Sequence, residues 1–131
     1  MATLAHSGPH ARHLLSNFVA SLQEPRTPHI SPRRMADVFG VQLSRLASIL
    51  GVHRNTMRNP ASERLQDRLR DVIRVIAAAT ELTGDTDRAI FWFMNEPVVT
   101  LKRKTPAELV AGGHADAILA HLEELSNGAN G

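Results

Sequence analysis

Cysteine and tyrosine are absent from this chain, and tryptophan occurs once. Without cysteine there is no disulfide framework and no thiolate metal site, a composition that suits a reducing cytoplasm. No stretch approaches the roughly 20 consecutive apolar residues a membrane-spanning helix requires, so neither a membrane span nor a membrane partner is expected. The first residues, MATLAHSGPHARH, place histidines and Arg12 where a secretory leader would carry its apolar stretch, and the expected location is the cytoplasm. Enzyme signatures are missing too: no glycine-rich phosphate loop, no His-Glu-x-x-His and no nucleophile elbow. Carboxylates are scattered at helical ion-pair spacing, as in Arg64 and Arg68 with Asp67 and Asp71. A non-enzymatic chain is expected, with no cofactor and no small-molecule substrate. His10-x-x-His13 supplies only half of a metal site, so no metal is expected.

What is present is helix-forming sequence with a basic front and an acidic rear. Residues 1–70 hold ten arginines and four acids, a net of +6; residues 71–131 hold five basic residues and nine acids, a net of −4. A basic half suits a polyanion such as DNA, and an acidic half suits a different partner. Two ordinary solvated surfaces with an uneven split are the plainer alternative.

Apolar residues recur at spacings of three and four almost throughout, the helical period. A first helix is predicted over 11–23, with Leu14, Leu15, Phe18, Val19 and Leu22 on its apolar side; Pro25 and Pro28 break it. Ser31-Pro32 opens the next, in which Met35, Val38 and Phe39 face inward and which Gly40 ends. A helix over 43–50 stops at Gly51, and a short helix over 53–58 stops at Pro60. The longest helix runs from Ser62 to about Leu82. Leu65, Leu69, Val72, Ile76 and Ala79 form its stripe, widened by Ile73 and Val75. That width predicts more than one packing neighbour and a homodimer. Thr83-Gly84-Asp85 separates it from an aromatic helix over 86–94, closed by Asn95-Glu96-Pro97. Thr105-Pro106-Ala107-Glu108 is a capping box that starts a short helix ending at Gly112-Gly113. The last helix is expected over 114–125, with a small polar tail from Ser126 to Gly131.

The fold class is therefore all-α. Residues 1–30 form an N-terminal extension, 31–83 a helix-turn-helix-like part with a long dimerisation helix, and 84–131 a binding domain with a C-terminal tail. With Leu43 as the first position of a helix-turn-helix, Ala47 is the small fifth residue and Gly51 the turn glycine. Leu46, Leu50, Val52 and Met57 form the apolar seam. The exposed positions that follow are His53, Arg54, Asn55, Arg58 and Asn59, types suited to base edges and phosphates. Pro60 cuts this second helix short, so a purely structural role is the alternative to DNA reading.

The rear half adds a more specific pattern. Ala89-Ile90-Phe91-Trp92-Phe93-Met94-Asn95-Glu96-Pro97, a basic connector, then Thr105-Pro106-Ala107-Glu108-Leu109-Val110 and a glycine resembles the Xre/MbcA/ParS antitoxin family. The resemblance covers residues 30–131. It implies an antitoxin, typically dimeric, that binds a RES-domain toxin consuming NAD, by degrading it or by transferring its ADP-ribose. Such an antitoxin blocks the toxin's active-site cleft, often represses its own operon at operator DNA, and carries the toxin contacts in its rear domain. On that resemblance the contact candidates are Trp92, the run Lys102, Arg103 and Lys104, then Thr105 and Pro106, and the tail Asn127, Gly128, Ala129, Asn130 and Gly131. The connector Val98 to Lys104 contains no glycine. Core packing is the alternative for Trp92, a solvated loop for Lys102–Lys104, and an ordinary frayed end for the tail. A stand-alone helix-turn-helix regulator with a helical oligomerisation domain is the runner-up function.

Overall fold

A computed structural model describes residues 18–24 and 28–130, the last two by backbone alone. The first seven residues of the expected N-terminal helix, the His10/His13 pair and Gly131 lie outside the described residues. Residues 18–22 are helical, with Phe18 and Leu22 buried. Six helices follow: α1 (Pro32–Phe39), α2 (Leu43–Leu50), α3 (Glu63–Thr83), α4 (Thr86–Asn95), α5 (Pro106–Ala111) and α6 (Ala115–Asn130). Single 3-10 turns cover Thr56–Arg58 and Val99–Leu101. Among the described residues there is no strand, only two isolated antiparallel bridges, Gln23 to Ile30 and Val98 to Lys104. No helix among them is long and apolar enough to cross a membrane.

Helix boundaries follow local chemistry. The Ser31 hydroxyl accepts from the Arg34 amide at 3.1 Å, and Pro32, which has no amide to satisfy, takes the first helical position. Ser62 and Asp85 cap α3 and α4 in the same way. At α5 the capping box is complete: Glu108 donates its amide to Thr105 Oγ1 at 3.1 Å, and its carboxylate accepts the Thr105 amide at 2.9 Å. The Thr105 amide, and after it the Thr105 hydroxyl, hold the Glu108 carboxyl below its ordinary value of 4.5. A carboxyl depressed in the folded state stabilises above its unfolded pKa, and that contribution is lost as pH falls through the folded one. The stability gap between wild type and Glu108→Ala is therefore full at neutral pH and narrows below pH 4.5, a dependence that urea melts across pH 3 to 7 will read.

The core is organised on α3, whose Leu65, Leu69, Val72, Val75, Ile76 and Ala79 are all buried. This helix packs against α2, α4, α5 and α6, the several neighbours its wide stripe predicts. Phe93 from α4, Val110 from α5 and Ile118 from α6 close the core from the rear; Met35, Leu46 and Leu50 close it from the front. Phe39 meets Phe93 at 6.0 Å between ring centres, a tilted pairing that joins α1 to α4. On the surface, Asp71 pairs with Arg68 at 3.8 Å and Arg74 at 3.4 Å, and Arg74 reaches Asp116 at 3.7 Å, tying α3 to α6. Asp67 pairs with Arg70 rather than with Arg64.

Three local expectations are corrected. Val38 is 41% exposed, and Ala36 takes the inward position beside Met35; on a helix only eight residues long, the buried edge runs Pro32, Met35, Ala36 and Phe39. The short helix expected over 53–58 is a single 3-10 turn, because side chains bond the local backbone and compete with helix. Asn55 donates its amide to His53 Nδ1 at 3.1 Å, and Asn59 Oδ1 accepts from the Ala61 amide at 3.2 Å. Asn59 itself is extended at φ −116°, ψ 90°, as the residue before a proline must be. Finally, the tail is not a separate slim segment: α6 continues through Asn130. No proline interrupts 115–130, and the single glycine there, Gly128, costs a helix only about 1 kcal/mol.

Candidate functional site

Two surfaces carry the candidate residues, one at the front and one at the rear. At the front, the turn after α2 is built as the helix-turn-helix spacing requires. Gly51 is left-handed at φ 67°, and its amide reaches back to Ala47 and Ser48. Leu46, Ala47, Leu50 and Val52 are buried and Met57 is partly buried. The five candidate DNA-contacting residues then diverge. His53 and Asn59 lend side-chain atoms to the local backbone, and Asn55 is exposed beside them. Arg54 and Arg58 face a common cleft of about 550 Å³, lined also by Arg33, Glu24, Met57 and the starts of α1 and α2. Arg33 has no counterpart among the expected site residues. Its position directly after Ser31-Pro32 was the available signal, because a helix's first turn projects its side chains around the capped end.

At the rear, Trp92 is neither fully core nor fully exposed. It lines an apolar groove of about 300 Å³ with Ala79, Leu82, Thr83, Leu122 and Leu125. Its neighbour Phe91 is 62% exposed. The sequence contained the reason: Ala89 and Phe93, four apart, define the buried edge of α4, and Phe91 falls on the opposite face at about 100° per residue. Pro106 is buried and Thr105 is engaged in the capping box, so these two position α5 and offer little surface. Asn127 and Gly128 are exposed on the last turns of α6.

The basic loop is the most unusual backbone in the described chain. Lys102 and Arg103 are both left-handed, at φ 60° and 59°. The loop folds back on Val98, whose carbonyl accepts the Leu101 and Arg103 amides at 2.9 and 3.0 Å and whose amide donates to Lys104 O at 2.8 Å. Val98 is buried, while Val99 is 73% exposed at the tip. Each non-glycine residue held left-handed costs about 1–2 kcal/mol, so the Val98 bonds hold a strained loop that presents three cations to solvent. Arg103→Gly is expected to raise stability by about 0.5–1 kcal/mol, the relieved strain being partly offset by added freedom in the unfolded chain; the midpoint of urea unfolding checks it.

Among the described residues no cluster of histidines and carboxylates has metal-ligand geometry. Set against known protein families, curated proteins and solved structures, the chain matches none.

Proposed function

We propose that this chain is an antitoxin that neutralises a RES-domain, NAD-consuming toxin by covering its active-site cleft, and that as a homodimer it also represses its own operon. The observation that carries the reading is the rear succession of elements: aromatic α4, the Asn95-Glu96-Pro97 turn, a strained basic loop, capping-box-anchored α5 and final α6. It follows the order of the motif that resembles the Xre/MbcA/ParS antitoxins. Along this succession the exposed Phe91 and Val99 and the open groove beside Trp92 offer the aromatic and apolar anchors typical of binding hot spots.

The chemistry of the interface follows from the toxin's substrate. NAD carries two phosphates, so the mouth of its cleft is basic. The outer part of α6 holds Glu123 and Glu124 and no lysine or arginine. Its C-terminal carbonyls add the negative end of a helix dipole. A helical end of this kind sits over a basic mouth as a lid, with Asn127 to Gly131 nearest the phosphate subsites. Lys102, Arg103 and Lys104 then meet acids elsewhere on the toxin.

The test is growth. Expression of the adjacent reading frame alone is expected to arrest cells, and co-expression of this chain to restore them. Phe91→Glu with Trp92→Ala is expected to lose rescue while retaining helical circular dichroism. A harmless neighbour, or a toxic one that this chain never rescues, rejects the reading. The second reading, a stand-alone regulator, is favoured by the intact seam around Gly51 and by the arginines at the front. Steeply salt-dependent operator binding without any partner would select it.

A further inference from the structure

The front cleft has features that neither toxin binding nor the helix-turn-helix seam explains. Arg33, Arg54 and Arg58 line one recess of about 550 Å³. Among the described residues none of the three has a side-chain hydrogen bond or ion pair, whereas Arg68, Arg70 and Arg74 on α3 each face a carboxylate. All three are exposed, and with the lone acid in the lining, Glu24, these side chains give the recess a net charge of +2. The start of α2 opens into the same space: Leu43 and Ser44 line it, and the capping position Gln42 makes no side-chain cap. That leaves the first-turn amides of α2 without a side-chain cap. Beside these groups lie Met57 and Leu43, both partly buried and apolar.

We infer that this cleft binds a nucleoside monophosphate, with the phosphate held by Arg33, Arg54 and Arg58 and the base laid against Met57 and Leu43. Guanidiniums match phosphate oxygens in pairs, and a thioether packs favourably on an aromatic ring. Glu24, on the rim, accepts hydrogen bonds from ribose hydroxyls. The volume lies within the range of small-ligand pockets. A phosphate of duplex DNA is the weaker fit. Reading a duplex needs an element that stands out from the surface, and here the Thr56–Arg58 turn contributes Met57 and Arg58 to the wall of a recess. The inference is independent of toxin binding, which concerns a different face of the molecule, and it shares Arg54 and Arg58 with the proposed operator contacts, which the duplex titration tests separately.

Isothermal titration of the full chain with AMP tests it, with adenosine, inorganic phosphate and a short DNA duplex titrated in parallel. Saturable binding of one AMP per chain is expected, at least tenfold tighter than either adenosine or phosphate alone. The double variant Arg33→Ala, Arg58→Ala should weaken AMP at least tenfold without changing the thermal midpoint of the unliganded protein. Both side chains are exposed and unpaired, so the variant keeps its fold. No saturable binding, equal affinity for AMP and inorganic phosphate, AMP affinity indifferent to the arginine substitutions, or binding of the duplex alone would each overturn the inference.

Discussion

Gly51→Ala is expected to destabilise the protein by about 3–5 kcal/mol, whereas Gly40→Ala, at nearly the same backbone angles, costs about 1 kcal/mol. Both glycines end helices in the left-handed region, at φ 67° and 69°. Their surroundings differ. A methyl group at Gly40 meets nothing within 4 Å, while one at Gly51 would stand 2.3 Å from the Ala111 carbonyl oxygen and 3.0 Å from its carbonyl carbon. Left-handed strain is common to both, so the difference measures the overlap alone. Ala111 closes α5, which the capping box at Thr105 fixes at its other end. The Gly51 substitution therefore forces the front turn away from the rear short helix, and the cost reports how firmly the two halves of the core are joined. Chemical denaturation of both variants checks it: equal losses would mean that α2 and α5 separate freely.

Gln66→Leu is the second large effect, expected at about 2–4 kcal/mol despite placing an apolar side chain at a buried position. Gln66 is 3% exposed. Its Oε1 accepts from the Ile30 amide at 2.9 Å, and its Nε2 donates to the Ile30 carbonyl at 2.9 Å and the Pro60 carbonyl at 2.7 Å. One side chain thus serves as a strand-like partner for Ile30 and fastens both the segment before α1 and the turn before α3. Leucine matches the volume but leaves the buried Ile30 amide and carbonyl without partners. Gln66→Glu keeps an acceptor for the Ile30 amide yet cannot donate to two carbonyls while ionised. It is expected to be strongly destabilised at pH 7 and to recover part of the loss near pH 4, because a carboxyl facing carbonyls binds its proton more tightly folded than unfolded. Urea midpoints at the two pH values check the sign. A pH-independent loss would show that water, not the side chain, satisfies Ile30.

Much of the architecture was written in local signals. Ser31-Pro32, Ser62, Asp85 and Thr105-Pro106-Ala107-Glu108 mark helix starts, and Gly40, Gly51 and Gly84 mark ends, because each satisfies or releases backbone groups within a few residues. The stripe on α3 was equally plain in a four-three spacing. What escaped depends on distant or competing contacts. Gln66 lies outside the apolar stripe, and its bonds to Ile30, thirty-six positions away, and to Pro60 explain its burial. The segment over 53–58 has a helix-turn-helix seam, but His53 and Asn59 divert the backbone and Pro60 removes a donor. The left-handed pair Lys102 and Arg103 contains no glycine to announce it; the carbonyl of Val98 imposes that geometry. Of the candidate sites, the aromatic helix and basic loop were found by pattern, whereas the front cleft arises from α1, α2 and a turn converging in space.

The central claim is that this chain protects NAD from a partner toxin, and the most direct measurement is the NAD content of cells. Cells expressing the adjacent reading frame alone should lose most of their NAD before growth stops. Co-expression of this chain should hold NAD at the level of untransformed cells, and the Phe91→Glu, Trp92→Ala variant should let it fall. NAD that stays constant when the neighbour is expressed, or that falls equally with and without this chain, would contradict the account.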